Sequence, residues 1–210
     1  MFGTHDLLLF IFSALLLNIT PGPDTLYIVG RSSTQGFKAG VTAALGISAG
    51  IMVHVAAAAF GLSAILAASA TAFTVVKIAG AAYLVYVGIA LIRSRGITLN
   101  AAAAPAECAR LRTIFVQGFW TNVLNPKVGL FFLAFLPQFV DASAPGEVLA
   151  FLFLGVLFNL NGTLWNLFVA WSAARISRQL MRTNAVSMWF NRCVGMLFIY
   201  LGAKLAFVKE

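Results

Sequence analysis

Two proline-containing breaks interrupt apolar segments of this chain where an unbroken helix would otherwise be expected. The first break reads Thr20-Pro21-Gly22-Pro23-Asp24, and the second reads Asn122-Val123-Leu124-Asn125-Pro126-Lys127. Thr20 and Asn125 each precede a proline, a pattern that predicts an N-cap followed by proline at the first position of a new helix. A helix that restarts inside an apolar segment must satisfy its first N–H groups, and a bound anion or a polar cavity would do so.

Composition indicates that a lipid bilayer surrounds these breaks. Hydrophobic residues make up 61% of the 210 positions and charged residues 10%, whereas a soluble domain has about 45–50% and about 25%. The chain is therefore predicted to be an all-α integral membrane protein. The net charge of +8 does not indicate a nucleic-acid partner, because the basic residues lie in short loops between apolar segments.

Six transmembrane helices are predicted, at residues 6–30, 39–67, 71–92, 113–140, 147–174 and 188–207. With six spans, ten basic residues fall on one side of the membrane: Arg31, Lys38, Arg93, Arg95, Arg110, Arg112, Arg175, Arg178, Arg182 and Arg192. Because basic loops face the cytoplasm, both termini are predicted to be periplasmic. In the second span, Gly46 and Gly50 form a G-x-x-x-G pair, which predicts close approach of a neighbouring helix.

The two halves of the chain resemble each other weakly. A shift of 105 residues places Pro21 on Pro126 and Gly50 on Gly155. Three spans per half is an odd number, so the halves would enter the membrane in opposite orientations, as in the inverted repeats of many transporters. We expect a first repeat at residues 1–95, a cytoplasmic linker at 96–112 and a second repeat at 113–210.

Both breaks are predicted to lie near the middle of the membrane. Counting about 1.5 Å per residue places each of them roughly 20 Å from opposite faces. The positive ends of the two restarted helices would then point toward a common centre. A carboxylate placed there is expected to meet free N–H groups from both helices.

Asp24 and Lys127 carry charge inside predicted spans, where insertion of a charge costs about 2.5–3.5 kcal/mol. Asp24 is predicted to carry a proton or to bind a substrate ammonium, although a first-turn carboxylate also stabilises the helix dipole. Lys127 is predicted to hold a substrate carboxylate or to pair with Asp24, and snorkelling to a headgroup is the structural alternative. A lone His54 in the second span is interpreted as a packed residue rather than a proton relay.

Polar side chains cluster around the breaks and in the fifth span. They either satisfy freed backbone groups, glue helices together, or bind a polar ligand. The predicted substrate-binding residues are Asn18, Thr20, Pro21, Gly22, Pro23, Asp24, Asn122, Asn125, Pro126, Lys127, Asn159 and Asn166, with Asp24 also coupling protons. Neither a metal-spaced Cys/His set nor a phosphate-binding glycine loop is present, so no enzyme activity, metal or cofactor is expected.

An ordered set of segments resembles the LysE/RhtB amino-acid exporters over essentially the whole chain. It comprises residues 18–23, the stretch GAAYLVYVG at 80–88, Gly118-Phe119, Asn125-Pro126-Lys127, Phe131-Phe132 and Pro137-Gln138-Phe139. The resemblance implies a bacterial inner-membrane exporter of amino acids or related metabolites that is driven by the proton gradient. It also implies six helices and a homodimer.

The expected mechanism is alternating access, in which the two halves rock around a central site. One acid and one base suit a zwitterion, and the absence of further acids in the spans favours a neutral amino acid such as threonine, homoserine, leucine or a cysteine-pathway metabolite. Three other functions remain open: a thiol–disulfide electron carrier, an ion channel and a membrane scaffold. The first requires cysteines beside the prolines, whereas Cys108 and Cys193 are distant from both breaks.

Overall fold

Most of the described residues are helical. The computed structural model describes residues 3–62, 64, 70–93, 109–141, 146–175 and six further positions between 192 and 203. The helices are α1 (Leu7–Ile19), α2 (Pro23–Gln35), α3 (Phe37–Ala56, continued by a π-turn at Ala57–Leu62), α4 (Ala70–Arg93), α5 (Leu111–Val123), α6 (Pro126–Ala134, followed by a 3-10 turn at Leu136–Phe139) and α7 (Glu147–Arg175).

Both predicted breaks are present. In the described part of the chain, two helices are long and apolar enough to cross a membrane: the segment Phe37–Leu62 and α7. The pair α1 and α2 and the pair α5 and α6 each add a candidate span that bends at its break, by 54° and 48° respectively. An integral membrane protein with two interrupted helices is therefore what the structure supports.

The first break restarts two residues later than predicted. Thr20 is the C-cap of α1, and its hydroxyl donates to the Leu16 carbonyl at 2.7 Å, back into α1. Instead Gly22 is the N-cap and Pro23 is the first helical residue. The residue before a proline avoids the α region, and this restriction applies to Thr20 before Pro21 and again to Gly22 before Pro23. The predicted N-cap at Thr20 is therefore wrong.

The second break has the predicted form. Asn125 is the N-cap of α6, its side chain accepts a hydrogen bond from the Lys127 N–H at 3.1 Å, and Pro126 occupies the first helical position. The helix α5 begins at Leu111, two residues before the predicted start of the fourth span. Residues 96–108 of the predicted linker lie outside the described residues.

Glycines bring α3 against α5 at backbone distance, as the G-x-x-x-G pair predicts. A Cβ on Gly46 would clash with the Phe115 carbonyl oxygen, and a Cβ on Gly50 would lie 2.7 Å from the Phe119 carbonyl oxygen. The fit is reciprocal, because a Cβ on Gly118 would lie 2.8 Å from the Ala43 carbonyl oxygen. Only glycine permits these approaches, so the two helices lock in one register.

The described helices from the two halves of the chain intermix. α3 packs against α2, α5 and α7, while α7 also packs against α1 and α2, and α4 packs against α6. Buried aromatic rings of α6 and α7, including Phe131, Phe132 and Phe158, pack together with their ring centroids no more than 6.2 Å apart. The sixth predicted span at 188–207 lies mostly outside the described residues, so the six-helix inverted repeat stays a prediction.

Candidate functional site

A polar pocket lies where the two breaks meet. It is small and partly open, and residues from α1, α2, α3, α6 and α7 line it. The residues predicted to bind substrate that line this pocket are Asn18, Thr20, Gly22, Asp24, Asn125, Lys127 and Asn166. Side chains from both breaks and from α7 therefore face one cavity.

Lys127 connects the second break to the first. Its ammonium donates to the carbonyl oxygens of Leu17 at 2.8 Å and Thr20 at 2.7 Å. In an unbroken helix the Leu17 carbonyl would bond to the N–H four residues later, but that residue is Pro21, which has none. Lys127 thus satisfies a carbonyl that the first proline leaves without a partner, and two of its three N–H donors are used in doing so.

Asp24 is held by the opposite break. The side-chain amide of Asn122, at the end of α5, donates to Asp24 Oδ2 at 2.8 Å. The second carboxylate oxygen, Oδ1, is buried and has no hydrogen-bond partner. Asn122 itself is fully buried. One carboxylate oxygen is therefore fixed, and the other remains available to a donor in the pocket.

The two charged side chains share the pocket without touching. No Asp24–Lys127 ion pair closer than 4.0 Å is present in the described structure, where His5 and Asp6 form the ion pair found within that distance. Each charge is instead compensated by polar groups of the other break. The pocket consequently presents an acid and a base as separate attachment points.

The two helix starts are not equivalent, contrary to the expectation of free N–H groups on both. At α6, the Asn125 side chain takes the Lys127 N–H, and the Asn125 carbonyl takes those of Val128 and Gly129. At α2, the N-cap Gly22 has no side chain to offer, and the first internal bond is from the Leu26 N–H to the Gly22 carbonyl at 3.0 Å. Any anion recognition by a helix start therefore belongs to α2.

Asn159 lies apart from the pocket. Its side-chain oxygen accepts from the Ser48 hydroxyl at 2.9 Å and from Thr163 at 3.3 Å, forming a polar link between α3 and α7. Asn166, seven residues further along α7, does line the pocket and is 7% exposed. Of the two α7 residues, the structure brings Asn166 to the breaks and leaves Asn159 between helices.

Apolar residues complete the pocket, and the sequence did not single them out. Leu17, Ile51, Val128 and Phe158 line it beside the polar groups. Their side chains resemble the many lipid-facing ones in type and spacing, so composition alone could not separate them. His54, interpreted from the sequence as a packed residue, has its Nε2 3.0 Å from the Asn122 carbonyl oxygen. Pro21, Pro23 and Pro126 are not among the lining residues and act by shaping the backbone.

Comparison with known proteins identifies the family. The family model of the LysE type translocators matches residues 15–208. The chain belongs to the LysE type translocator family. It is therefore a transporter rather than an enzyme, and the multi-pass membrane character inferred from its helices agrees with this membership.

Full-length relatives support the same assignment. An uncharacterised membrane protein of Pseudomonas aeruginosa is 31% identical over 207 residues, covering 97% of this chain and 96% of the relative. A protein of Enterobacter sp. named leucine efflux protein is 30% identical over 206 residues, covering 98% and 97%. A leucine efflux protein of Salmonella typhimurium is 26% identical over 209 residues, covering 100% and 98%. No solved structure matches. The family and these relatives together support an amino-acid export transporter.

Proposed function

We propose that this LysE type translocator exports neutral amino acids across the bacterial inner membrane by proton antiport, with the pocket between the two breaks as the substrate site. The observation that carries the proposal is that one pocket contains two separate charged groups. They are the carboxylate of Asp24, whose Oδ1 has no hydrogen-bond partner, and the ammonium of Lys127. An amino acid carries both complementary charges, so it can bind both groups at once.

The substrate carboxylate would bind Lys127. After its bonds to Leu17 and Thr20, the ammonium has one N–H left for a ligand. The first turn of α2 lies beside it, since a Cβ on Gly22 would be 3.7 Å from Lys127 Nζ. Its uncapped N–H groups and its positive dipole end add to the attraction for an anion.

The substrate ammonium would bind Asp24, and the side chain would contact the apolar lining. Asp24 Oδ1 is a buried acceptor without a partner, and such a group gains most when a charged donor reaches it. Leu17, Ile51, Val128 and Phe158 offer an aliphatic and aromatic surface to the substrate side chain. This surface, together with the leucine efflux relatives, supports leucine-like substrates over charged ones.

Alternating access would follow from the cross-connected breaks. Lys127 reaches from α6 to α1, and Asn122 reaches from α5 to α2, so a ligand that competes for either side chain loosens contacts between the halves. We propose that protonation of Asp24 from the periplasm releases the ammonium and resets the carrier. Six spans, periplasmic termini and a homodimer complete the proposal, on the charge distribution and the family resemblance.

Purified protein in proteoliposomes tests this function directly. We expect labelled leucine to exchange against unlabelled leucine, threonine or homoserine, and lysine to compete poorly. A pH gradient should drive net leucine movement against its concentration gradient. Failure of every neutral amino acid to exchange would overturn the proposed substrate, and exchange that ignores the pH gradient would overturn proton coupling.

The variant Asp24→Asn separates the two parts of the proposal. It keeps the shape of the side chain but removes the charge, so we expect weak exchange and no response to a pH gradient. Glu147→Gln is the matched control, because Glu147 is also a first-turn carboxylate, at the start of α7, and does not line the pocket. Gradient-driven transport by Asp24→Asn at the wild-type rate would remove Asp24 from proton coupling.

A further inference from the structure

His54 occupies the place at the second break that Lys127 occupies at the first. The Asn122 carbonyl would bond in an unbroken helix to the N–H of residue 126, which is a proline and has none. His54 Nε2 lies 3.0 Å from that carbonyl oxygen. The shift of 105 residues that relates Pro21 to Pro126 also relates Leu17 to Asn122, so the equivalent carbonyl at each break is met by a basic side chain from another helix. At the second break the Asn125 N–H also donates to this carbonyl, at 2.9 Å.

The direction of this hydrogen bond is fixed by chemistry. A carbonyl oxygen only accepts, so Nε2 of His54 must carry the proton and donate. The His54 ring is held in place by two contacts with α6. It packs on Phe132 with ring centroids 6.1 Å apart, and it lies so close to Gly129 that a Cβ there would be 3.3 Å from His54 Cε1. From the sequence, His54 is interpreted as a packed residue. The same packing orients its Nε2 N–H toward the second break.

The contact continues to the proposed site. Asn122 is the residue whose side chain donates to Asp24 Oδ2 at 2.8 Å, so the group that His54 anchors by its backbone is the group that orients the carboxylate. We infer that His54 is a positioning residue for substrate binding, which acts through Asn122 to fix Asp24 in the pocket. This inference rests on the proposed function, in which Asp24 binds the substrate ammonium.

Transport kinetics test the role of His54. We expect His54→Leu, which keeps the volume and removes the donor, to raise the KM for leucine about five- to tenfold, the range expected for one buried hydrogen bond. The maximal rate should change less. His54→Gln retains an N–H donor and should restore most of the affinity. Thr42→Val is the control on the same helix, because the Thr42 hydroxyl bonds within α3, to the Lys38 carbonyl.

A double-mutant cycle tests whether the effect passes through Asn122. In an Asn122→Ala background, His54→Leu should raise the KM no further, because the link to Asp24 is already broken. If the double variant instead raises KM by the product of the two single effects, His54 acts independently of Asn122. A wild-type KM for His54→Leu would overturn the inference. Absence of leucine exchange by the wild-type protein itself would instead count against the proposed function.

A spectroscopic measurement reaches His54 without transport. The chain has two histidines, so a His5→Gln variant labelled with ¹⁵N-histidine reports His54 alone. We expect Nε2 of the ring to carry a proton, with the shift of a hydrogen-bonded donor, and Asn122→Ala to leave this signal in place because the acceptor is backbone. A ring that carries its proton on Nδ1 alone could not donate to Asn122 and would overturn the inference.

Discussion

At the scale of single residues, the arrangement of the candidate site follows from the backbone N–H groups that the prolines lack. Pro21 leaves the Leu17 carbonyl without its helical donor, and Lys127 takes that place from across the pocket. The Lys127 ammonium therefore donates to a carbonyl that would otherwise have no partner. The cost of burying the charge and the cost of leaving the carbonyl unsatisfied partly offset each other. In the proposed function the same side chain also binds the substrate carboxylate, so one residue would serve both roles.

Removal of the Lys127 ammonium should affect both roles. Lys127→Met leaves the Leu17 and Thr20 carbonyls without their donor, and an unsatisfied buried group costs about 1–3 kcal/mol. We expect a lower midpoint of thermal unfolding in detergent and loss of leucine exchange. Lys38→Met is the matched control, since Lys38 lies exposed in the first turn of α3. An unchanged unfolding midpoint for Lys127→Met would contradict the structural role.

The Asn125 cap gives a second prediction at this scale. Its side chain holds the Lys127 N–H, and loss of such a cap costs about 1 kcal/mol. Asn125→Ala should therefore lower the unfolding midpoint, whereas Asn125→Ser keeps a capping oxygen and should stay close to wild type. Equal midpoints for the alanine and serine variants would show that the cap does not stabilise α6. The comparison is made without substrate, so binding does not enter.

At the scale of helices, the sequence predicted one break better than the other. Asn125 is followed by a single proline, so the cap rule applied directly. Around Gly22 two prolines compete, and the second one sets the start of α2. The rule that a residue before proline avoids the helix, applied to Gly22, would have located this start.

Patterns along the sequence could not predict which residues of other helices contact the candidate site. His54 bonds a backbone carbonyl 68 positions away, and a carbonyl leaves no trace in residue type. Ile51 and Phe158 line the pocket with side chains of the same kind as those that face lipid. Only the packing of α3 and α7 around the breaks distinguishes them.

Packing of α3 on α5 gives a prediction for the helix scale. Gly46→Ala places a Cβ against the Phe115 carbonyl oxygen and should force α3 away from α5. Gly30→Ala is the control, because a Cβ there meets nothing within 4 Å. We expect a lower unfolding midpoint and reduced yield of folded protein for Gly46→Ala only. A Gly46→Ala protein as stable as the Gly30→Ala protein would contradict the close approach.

At the scale of the whole molecule, topology is the open prediction, and the cysteines of the chain can test it. With Cys193→Ser, Cys108 in the predicted cytoplasmic linker is the remaining thiol. We expect an impermeant maleimide to label it only after the inner membrane is permeabilised. A cysteine introduced by Ala142→Cys, in a Cys108→Ser and Cys193→Ser background, should be labelled from outside. Labelling of Cys108 in intact spheroplasts would invert the topology.

The glycine contact between α3 and α5 also has a consequence for biosynthesis. α3 is made before α5, yet its closest backbone neighbour, and the donor from Asn122 that fixes Asp24, arrive only with the second half of the chain. Until α5 is inserted, α3 therefore lacks this contact and Asp24 lacks this donor. We expect the two halves, expressed as separate polypeptides, to recover a working carrier only when both are made in the same cell.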